Sequence, residues 1–511
     1  MNVTYHVEFD VDDDGRYSGD LTPDTIDIKW RSGMRRPFES VAAVSVANIT
    51  LRNPDGRYSP DAPASALEIG LALRIRTTEL TGGRQHFDGM IVSVEPVPGE
   101  HGEQLAVITA ECVMRTLMEA RVEVEAQVNT TAAIVINTIL DRVPTRARFL
   151  DGAFVIGLAG RAELDQTARL PTQDATHTRN IQPGLSTFAY VGDRWDEGVE
   201  ALRAITEVVE AERGRFYINR GAGFAMLNRQ TQYQKVTSQS TFSDDMDGLS
   251  LVYGADRVSR VRVTLRPRRI GADNEVLWRL GQAQLIRAGT EKRFSVRFRG
   301  ENDERVGALN VLPPRPFTDY TANTLISGSG ADVTAQVEFG LLGFNGSSAQ
   351  VRLANPGTTD AYLLPGAVLR GRALYLSPAL TVEERDPESE TFYGVRELNL
   401  NLLALTDIAA AEDIARFELF RRAQPRSTVR EMTLSSRMHL NDILVRALFD
   451  RISITETQTA HSNDYFIAGE QHHVFNAGNS HTVTWTLEPV NPAGFWQMNF
   501  GMLGESTRLL Y

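Results

Sequence analysis

Asp10, Asp12, Asp14 and Gly15 match the first half of a calcium loop, with carboxylates at positions one, three and five and glycine at six. The twelfth position, where such a loop places a bidentate glutamate, is Leu21. The ligand set is incomplete, so an aspartate-rich hairpin turn without metal is the reading adopted. His461, His472, His473 and His481 form a second group. Adjacent His472 and His473 on a strand face opposite ways and cannot both easily ligate one ion. His472 and His481 could share a face across a hairpin. No carboxylate nearby in the sequence completes a set, and surface or packing histidines are expected. A third group is cationic: Arg260, Arg262 and Arg266 alternate with Val261, Val263 and Leu265. Such guanidinium forks suit phosphate, or the carboxylates of a neighbouring subunit. The acidity of the whole chain favours the subunit interface. Nothing resembles a nucleophile elbow, a P-loop or a HExxH helix. A glycosidase-type carboxylate pair depends on separation in space, which a sequence does not display. No catalytic residue and no cofactor is assigned, and the chain is read as a non-enzyme.

The elements that position these groups are mostly strands. The chain has 511 residues, too many for one core, so two to four domains are expected. Forty glycines and 21 prolines suit a turn-rich β architecture. A net charge of −12 argues against a general nucleic-acid binder, which carries a basic footprint. Cys112 is the single cysteine, which excludes intrachain disulfides and fits a reducing compartment. The N-terminus lacks the cationic start and apolar core of a signal peptide, and no apolar run is long enough to span a bilayer. A soluble, cytosolically made protein is expected.

Alternation predicts strands at Val3–Phe9, Thr25–Trp30, Val41–Leu51, Leu71–Thr77, Phe87–Val94 and Leu105–Cys112, a compact all-β unit. Asn53-Pro54-Asp55-Gly56 supplies the fixed proline φ and the permissive glycine of a sharp reversal. Helical spacing covers Thr130–Val143 and, as a clear apolar stripe, Trp195–Glu212, with Gly214 as its stop. Strands Arg215–Asn219 and Gly223–Asn228 follow. After the arginine-rich extended stretch, turn signals between Pro313 and Glu383 predict an inserted β-sandwich. A helix from Thr406 to about Arg422 and strands at Val429–Leu434, Ile452–Thr457, Asp464–Gly469 and Thr482–Glu488 close the chain.

Five pieces occur in a fixed order: an Asp-x-Asp-x-Asp-Gly hairpin, Ile28-x-Trp30-Arg31, Asn53–Pro60, Leu67–Gly70 and Phe87-Asp88-Gly89-x-Ile91. With Tyr465-Phe466-Ile467-x-Gly469 and His481-x-Val483-x-Trp485-x-Leu487-x-Pro489, they resemble the minor tail and baseplate hub proteins of long-tailed phages. Where that family often has Leu-Gly-Asp-x-Val, this chain has Leu448-Phe449-Asp450-Arg451-Ile452. Phenylalanine rules out an unstrained positive-φ turn there, which leaves the register of the following strand open. The resemblance implies a mainly β multidomain protein with two tail-tube-like β-barrels, a small α/β domain and an inserted sandwich. The expected boundaries are 1–128 (first barrel), 129–238 (small α/β domain), 239–298 and 389–490 (second barrel in two parts, the latter with a helix), 299–388 (insertion) and 491–511 (docking segment).

It further implies a structural virion protein of the tail tip, assembled in the host cytoplasm. Three copies would make a pseudo-six-fold ring joining the tail tube, or a distal tail protein, to a tip, spike or fibre protein. DNA would pass transiently through the lumen, and the chain would not insert into a membrane. The apolar C-terminal residues Phe495, Trp496 and Phe500, with the arginine face, are the expected subunit contacts. Two alternatives remain: a receptor- or carbohydrate-binding tail tip protein that uses the inserted sandwich, and a β-rich secreted hydrolase, which the missing signal peptide disfavours.

Overall fold

The computed structural model describes residues 3–62, 65, 67–79, 82–98, 104–144, 178–195 and 198–490. The chain is mainly β. Its largest element is a 13-stranded sheet contributed by both ends of the sequence. One edge half holds, in spatial order, Gly248–Tyr253, Ser427–Ser435, Ser480–Pro489 and His461–Phe475. The other continues through Thr25–Gly33, Val46–Arg52, Leu105–Glu111, Gly82–Val97, Ala72–Glu79, Thr4–Phe9 and Gly19–Asp20. Arg451–Glu456 also pairs with His461–Phe475 and carries Ser240–Ser243 in parallel on its far side.

Each half buries one face, as the two-residue period demands. Under the N-terminal half lie Val7, Trp30, Ile49, Leu73, Ile75 and Ile108. The signature turn closes as expected: the Gly56 N–H donates to Asn53 O at 3.1 Å, with Gly56 at φ +72°. The Asn53 side chain accepts from the Tyr58 N–H at 3.0 Å, and the Tyr58 hydroxyl reaches Asp24. Under the C-terminal half, Tyr465, Ile467, Trp485 and Leu487 share a core with the small α/β unit, to which the helices Met114–Glu119, Ala132–Leu140 and Ala201–Glu212 contribute.

The last of these helices is shorter than its apolar spacing predicts. Trp195 lies ahead of it, its indole N–H donating to Glu207 Oε2 at 3.1 Å, and Val199–Glu200 pairs as a short strand with Arg121–Val122. The left-handed C-terminal residue is Arg213 at φ +56°, not Gly214.

The arginine-rich stretch does not join the large sheet. Of residues 239–298, Ser240–Ser243 and Gly248–Tyr253 do; Arg260–Leu265 sits between Leu380–Arg385 and Glu397–Asn401 in a separate three-stranded sheet. Helix Ile408–Arg422 covers that sheet through Ala411, Ile414 and Ala415. The sandwich core runs from Leu277 to Ala373, so the insertion begins earlier than the turn signals suggested. It is anchored on the small domain: Arg268 pairs with Asp193 at 3.0 Å, both buried, and the Ser347 hydroxyl donates to Trp195 O at 3.0 Å.

The Leu448–Ile452 turn corrects another expectation. Phe449 takes φ +64°, the left-handed conformation that glycine would favour, while its ring is fully buried against Tyr217 at 5.0 Å. Its N–H donates to Ile467 O at 2.7 Å and Lys235 Nζ donates to its carbonyl at 2.8 Å. Burial of the ring offsets backbone strain of about 1 kcal/mol, and the next strand keeps its register, Arg451 opposite Phe466. Truncation here should invert the usual order. Phe449→Gly, which relieves the strain, should lose about 1 kcal/mol less stability than Phe449→Ala, although it removes more atoms; denaturant unfolding of the two variants measures the difference.

Candidate functional site

The join between the two halves of the large sheet is where the sequence places its densest chemistry. Ile28–Gly33 pairs antiparallel with Gly469–Val474, so two arcs built from opposite ends of the chain become one surface. Glycine permits the closest point. A Cβ on Gly33, at φ +87°, would lie 2.6 Å from Ala468 O, and one on Gly469 would lie 2.2 Å from Met34 O. The Met34 N–H donates to Ala468 O at 2.9 Å through the space left free.

The pleat separates His472 and His473 as expected. His473 faces outward and its Nε2 meets Asp27 Oδ1 at 2.6 Å across the join. His472 faces inward, stacked on Trp30 with centroids 4.4 Å apart and planes 6° from parallel. Its Nδ1 shares a 2.9 Å hydrogen bond with His481 Nε2, and His481 Nδ1 meets the Tyr5 hydroxyl at 2.7 Å. Glu470 Oε2 lies 3.3 Å from His472 Nε2, although the geometry falls short of a hydrogen bond, and it completes no metal set with the histidines. Glu470 instead accepts from Arg220 Nη2 at 2.7 Å, and Arg220 Nη1 donates to Leu444 O at 2.8 Å. His86 completes the buried set, its Nε2 2.9 Å from the Thr77 hydroxyl.

Burial, reinforced by the charge of Arg220 and by one another, pushes His86 and His481 well below the ordinary imidazole value; burial likewise lowers His472 against the pull of Glu470. For Glu470 burial acts upward, but Arg220 and His472 overturn it and hold the carboxyl far below its usual range. The join is thus packed with neutral imidazoles beside one fully paired ion.

A second buried network ties the remaining units to this sheet. Glu418, on helix Ile408–Arg422, accepts from Arg213 Nε at 2.8 Å and from Arg421 Nη2 at 3.0 Å. Glu488, on strand Ser480–Pro489, accepts from Arg215 Nη2 at 2.9 Å and from the Phe38 N–H at 2.9 Å. The Arg421 guanidinium lies 4.7 Å over the Phe38 ring and 3.7 Å from Glu488 Oε1, which links the two carboxylates. Burial would raise the Glu418 carboxyl, but the charges of Arg213, Arg421 and Arg422 hold it far below its ordinary value. One cluster therefore joins the N-terminal β unit (Phe38), the small domain (Arg213, Arg215), the helix-covered sheet (Glu418, Arg421) and the C-terminal β unit (Glu488).

The other sequence candidates fare differently. Asp10 is buried, and its two carboxylate oxygens accept the N–H groups of Asp14 at 3.1 Å and Gly15 at 2.7 Å. Asp12 and Asp14 are exposed. Among the described residues no group of three or more His, Cys, Asp or Glu side chains is placed to hold a metal. Arg260 and Arg262 pair within their own chain: Arg260 Nε with Glu390 at 2.9 Å, and Arg262 with Glu383 at 2.6 Å and Glu397 at 3.1 Å. Glu383 and Glu397 come from the strands paired on either side, and Glu390 from the short helix Pro387–Tyr393. Arg266 lies at the end of that sheet, its Nε buried and unbonded. Phe495, Trp496 and Phe500 lie outside the described residues. Sequence reasoning missed Tyr5, Trp30, His86, Arg220, Glu470 and the whole Glu418–Glu488 cluster. The available signal was a glutamate inside otherwise apolar strands, at Phe466-Ile467-Ala468-Gly469-Glu470 and Trp485-Thr486-Leu487-Glu488.

No protein-family model and no curated protein sequence matches the chain. Solved structures similar in fold include a tail protein from Neisseria meningitidis, at 8% identity and TM-score 0.48, covering 95% of this chain and 97% of that one. The 43 kDa tail protein of prophage MuSo2 from Shewanella oneidensis gives 8% identity and TM-score 0.49, covering 95% and 98%. Prophage tail protein gp18 from Listeria monocytogenes gives 8% identity and TM-score 0.40, covering 94% of each chain.

Two outcomes follow from the buried groups. His86, His472 and His481 titrate near 6.5 when unfolded and lower when folded, so below that pH the unfolded chain binds more protons. Stability should be complete above about pH 6.5 and fall on acidification toward pH 5, with a limiting slope of about 4 kcal/mol per pH unit for the three together. His481→Gln should flatten that slope in denaturant unfolding followed against pH. Glu418→Gln, which leaves buried guanidinium groups without their counter-charge, should cost about 3–5 kcal/mol at neutral pH in the same assay.

Proposed function

We propose that this chain is a structural hub of a phage-type tail: three copies form a ring with pseudo-six-fold symmetry that joins the tail tube to the tip or spike. The observation that carries the reading is the antiparallel pairing of Ile28–Gly33 with Gly469–Val474, by which one chain presents two β units side by side in one sheet. A chain offering two neighbouring arcs needs only three copies to match a hexameric tube, and ring closure leaves no strand edge open to unwanted pairing. The hub-like motifs fall in both of these units. The Phe38–Glu418–Glu488 cluster supports the same reading, because it holds the arcs at a fixed angle. A ring of this kind transmits position and provides a bore for DNA; its work is mechanical and requires no catalytic group.

Purified full-length chain should sediment or scatter as a trimer, with annular six-lobed particles in electron micrographs. Gly469→Val, which forces a side chain against Met34 O, should abolish the rings while the insertion, whose core is separate, stays folded. A persistent monomer at concentrations well above micromolar, absent from assembled tails, would overturn the reading.

A further inference from the structure

The inserted sandwich carries a cleft of about 880 Å³ between strands Glu275–Arg279 and Thr290–Arg297. A β-bulge between Val276 and Trp278 shifts the register against Val368–Leu376, and both Val276 and Trp278 line the cleft. Bulges of this kind re-aim side chains. The carbonyl of Leu277 accepts from the Arg299 N–H at 2.7 Å, which closes one side of the cleft.

Trp278 differs from the other described tryptophans. Trp30, Trp195 and Trp485 are buried, whereas Trp278 is half-buried, propped by Phe294 at 6.3 Å and Phe339 at 6.1 Å. Its indole N–H has no acceptor among the described residues. Beside it stand the exposed guanidinium groups of Arg279 and Arg297, which have no carboxylate partner among the described residues. The third arginine of the cleft, Arg299, is held by Asp303, donating to its carbonyl at 2.9 Å. Glu301 and Asp303 add exposed acceptors at the rim.

We propose that this cleft binds an oligosaccharide bearing a carboxylate. The indole supplies a flat apolar face for a pyranose ring and a donor for one hydroxyl, the role in which tryptophan combines an apolar body with a polar handle. The two unpaired guanidinium forks match the planar carboxylate of an acidic sugar. The rim carboxylates accept from further hydroxyls and repel polyanions such as nucleic acid or polyphosphate, so a sparsely charged sugar fits better than a phosphate chain. The volume suits two to three sugar units, within the range of about 300–1,000 Å³ usual for ligand sites. Sugar binding here does not depend on the ring, and ring assembly is read independently by light scattering.

The test is calorimetric titration of the full-length chain with tetragalacturonate and sialyllactose, against lactose and inorganic phosphate. At least one acidic sugar should bind, and its neutral counterpart should bind about tenfold more weakly, which corresponds to about 1.4 kcal/mol. Trp278→Ala and the double variant Arg279→Gln/Arg297→Gln should each weaken the acidic sugar at least tenfold while the chain still assembles. Trp278→Phe, which keeps the ring contacts and drops only the N–H, should give an intermediate loss and guards against misfolding of the alanine variant. Absence of binding for both acidic sugars at about 10 mM would overturn the proposal, as would binding indifferent to these variants, equal binding of lactose, or displacement of the sugar by phosphate at equal concentration.

Discussion

Four of the units in this molecule meet at a buried exchange of charge between Glu418, Glu488 and the guanidinium groups of Arg213, Arg215 and Arg421. Burying such ions carries a desolvation cost of several kcal/mol each, so the cluster is weak evidence for stability as such. What it provides is exclusivity. A carboxylate at Glu418 that has left water must find Arg213 and Arg421 in one geometry, because any other arrangement of the units leaves it unpaired. All four units meeting there also bury apolar side chains, in three clusters of which the small domain and the C-terminal β unit share one, and apolar contacts are non-directional. The ion pairs are directional. Phe38 shows how far the fold goes to complete the set: its backbone takes φ +67° so that its N–H faces Glu488 and its ring lies under two guanidinium groups. Arg213, also left-handed, similarly ends its helix where its side chain reaches Glu418.

The join between the sheet halves solves a related problem by neutrality. His472, His481, His86 and Tyr5 bury many polar atoms in the space where two β units meet, and most are paired with one another. An apolar interface of the same size would be tighter, but would specify register less well, because strands with featureless apolar faces slip by two residues at small cost. The chain Tyr5–His481–His472, together with the Gly33–Gly469 close approach, allows one register only. The two devices are complementary: one fixes which strands meet and how far along, while the other fixes the angle of everything packed behind them.

How much of this was legible in the sequence divides along a physical line. Alternation marked nearly every strand of the large sheet, because those strands bury one face and the period of two survives in residues such as Val483, Trp485 and Leu487. The turn at Asn53–Gly56 was readable because its chemistry is local. The small sheet was not: Arg260–Leu265 alternates as a half-buried strand should, but its partners lie more than a hundred residues away, one antiparallel and one parallel. The same alternation suggested a surface facing another subunit, and it could not show that Glu383, Glu390 and Glu397 of the same chain pair with Arg260 and Arg262. Helix Ser436–Val445 escaped notice because it is short and kinked at His439. Phe449 contradicted a sound local rule because tertiary burial of its ring outweighs the strain in its backbone.

The placement of the insertion follows from the same division of labour. Its root is the Arg260–Leu265 sheet, whose covering helix carries Glu418, so the stalk on which the sandwich stands is itself part of the charge cluster. Its flank is pressed so closely on the small domain that a Cβ on Gly346 would fall 1.8 Å from Gly192 O. A sandwich free to swing would lose orientational entropy on engaging any partner, whereas one clamped at stalk and flank has met that cost during folding. None of its outer strands contributes to the large sheet or to its two locking devices, so a substitution there leaves both intact.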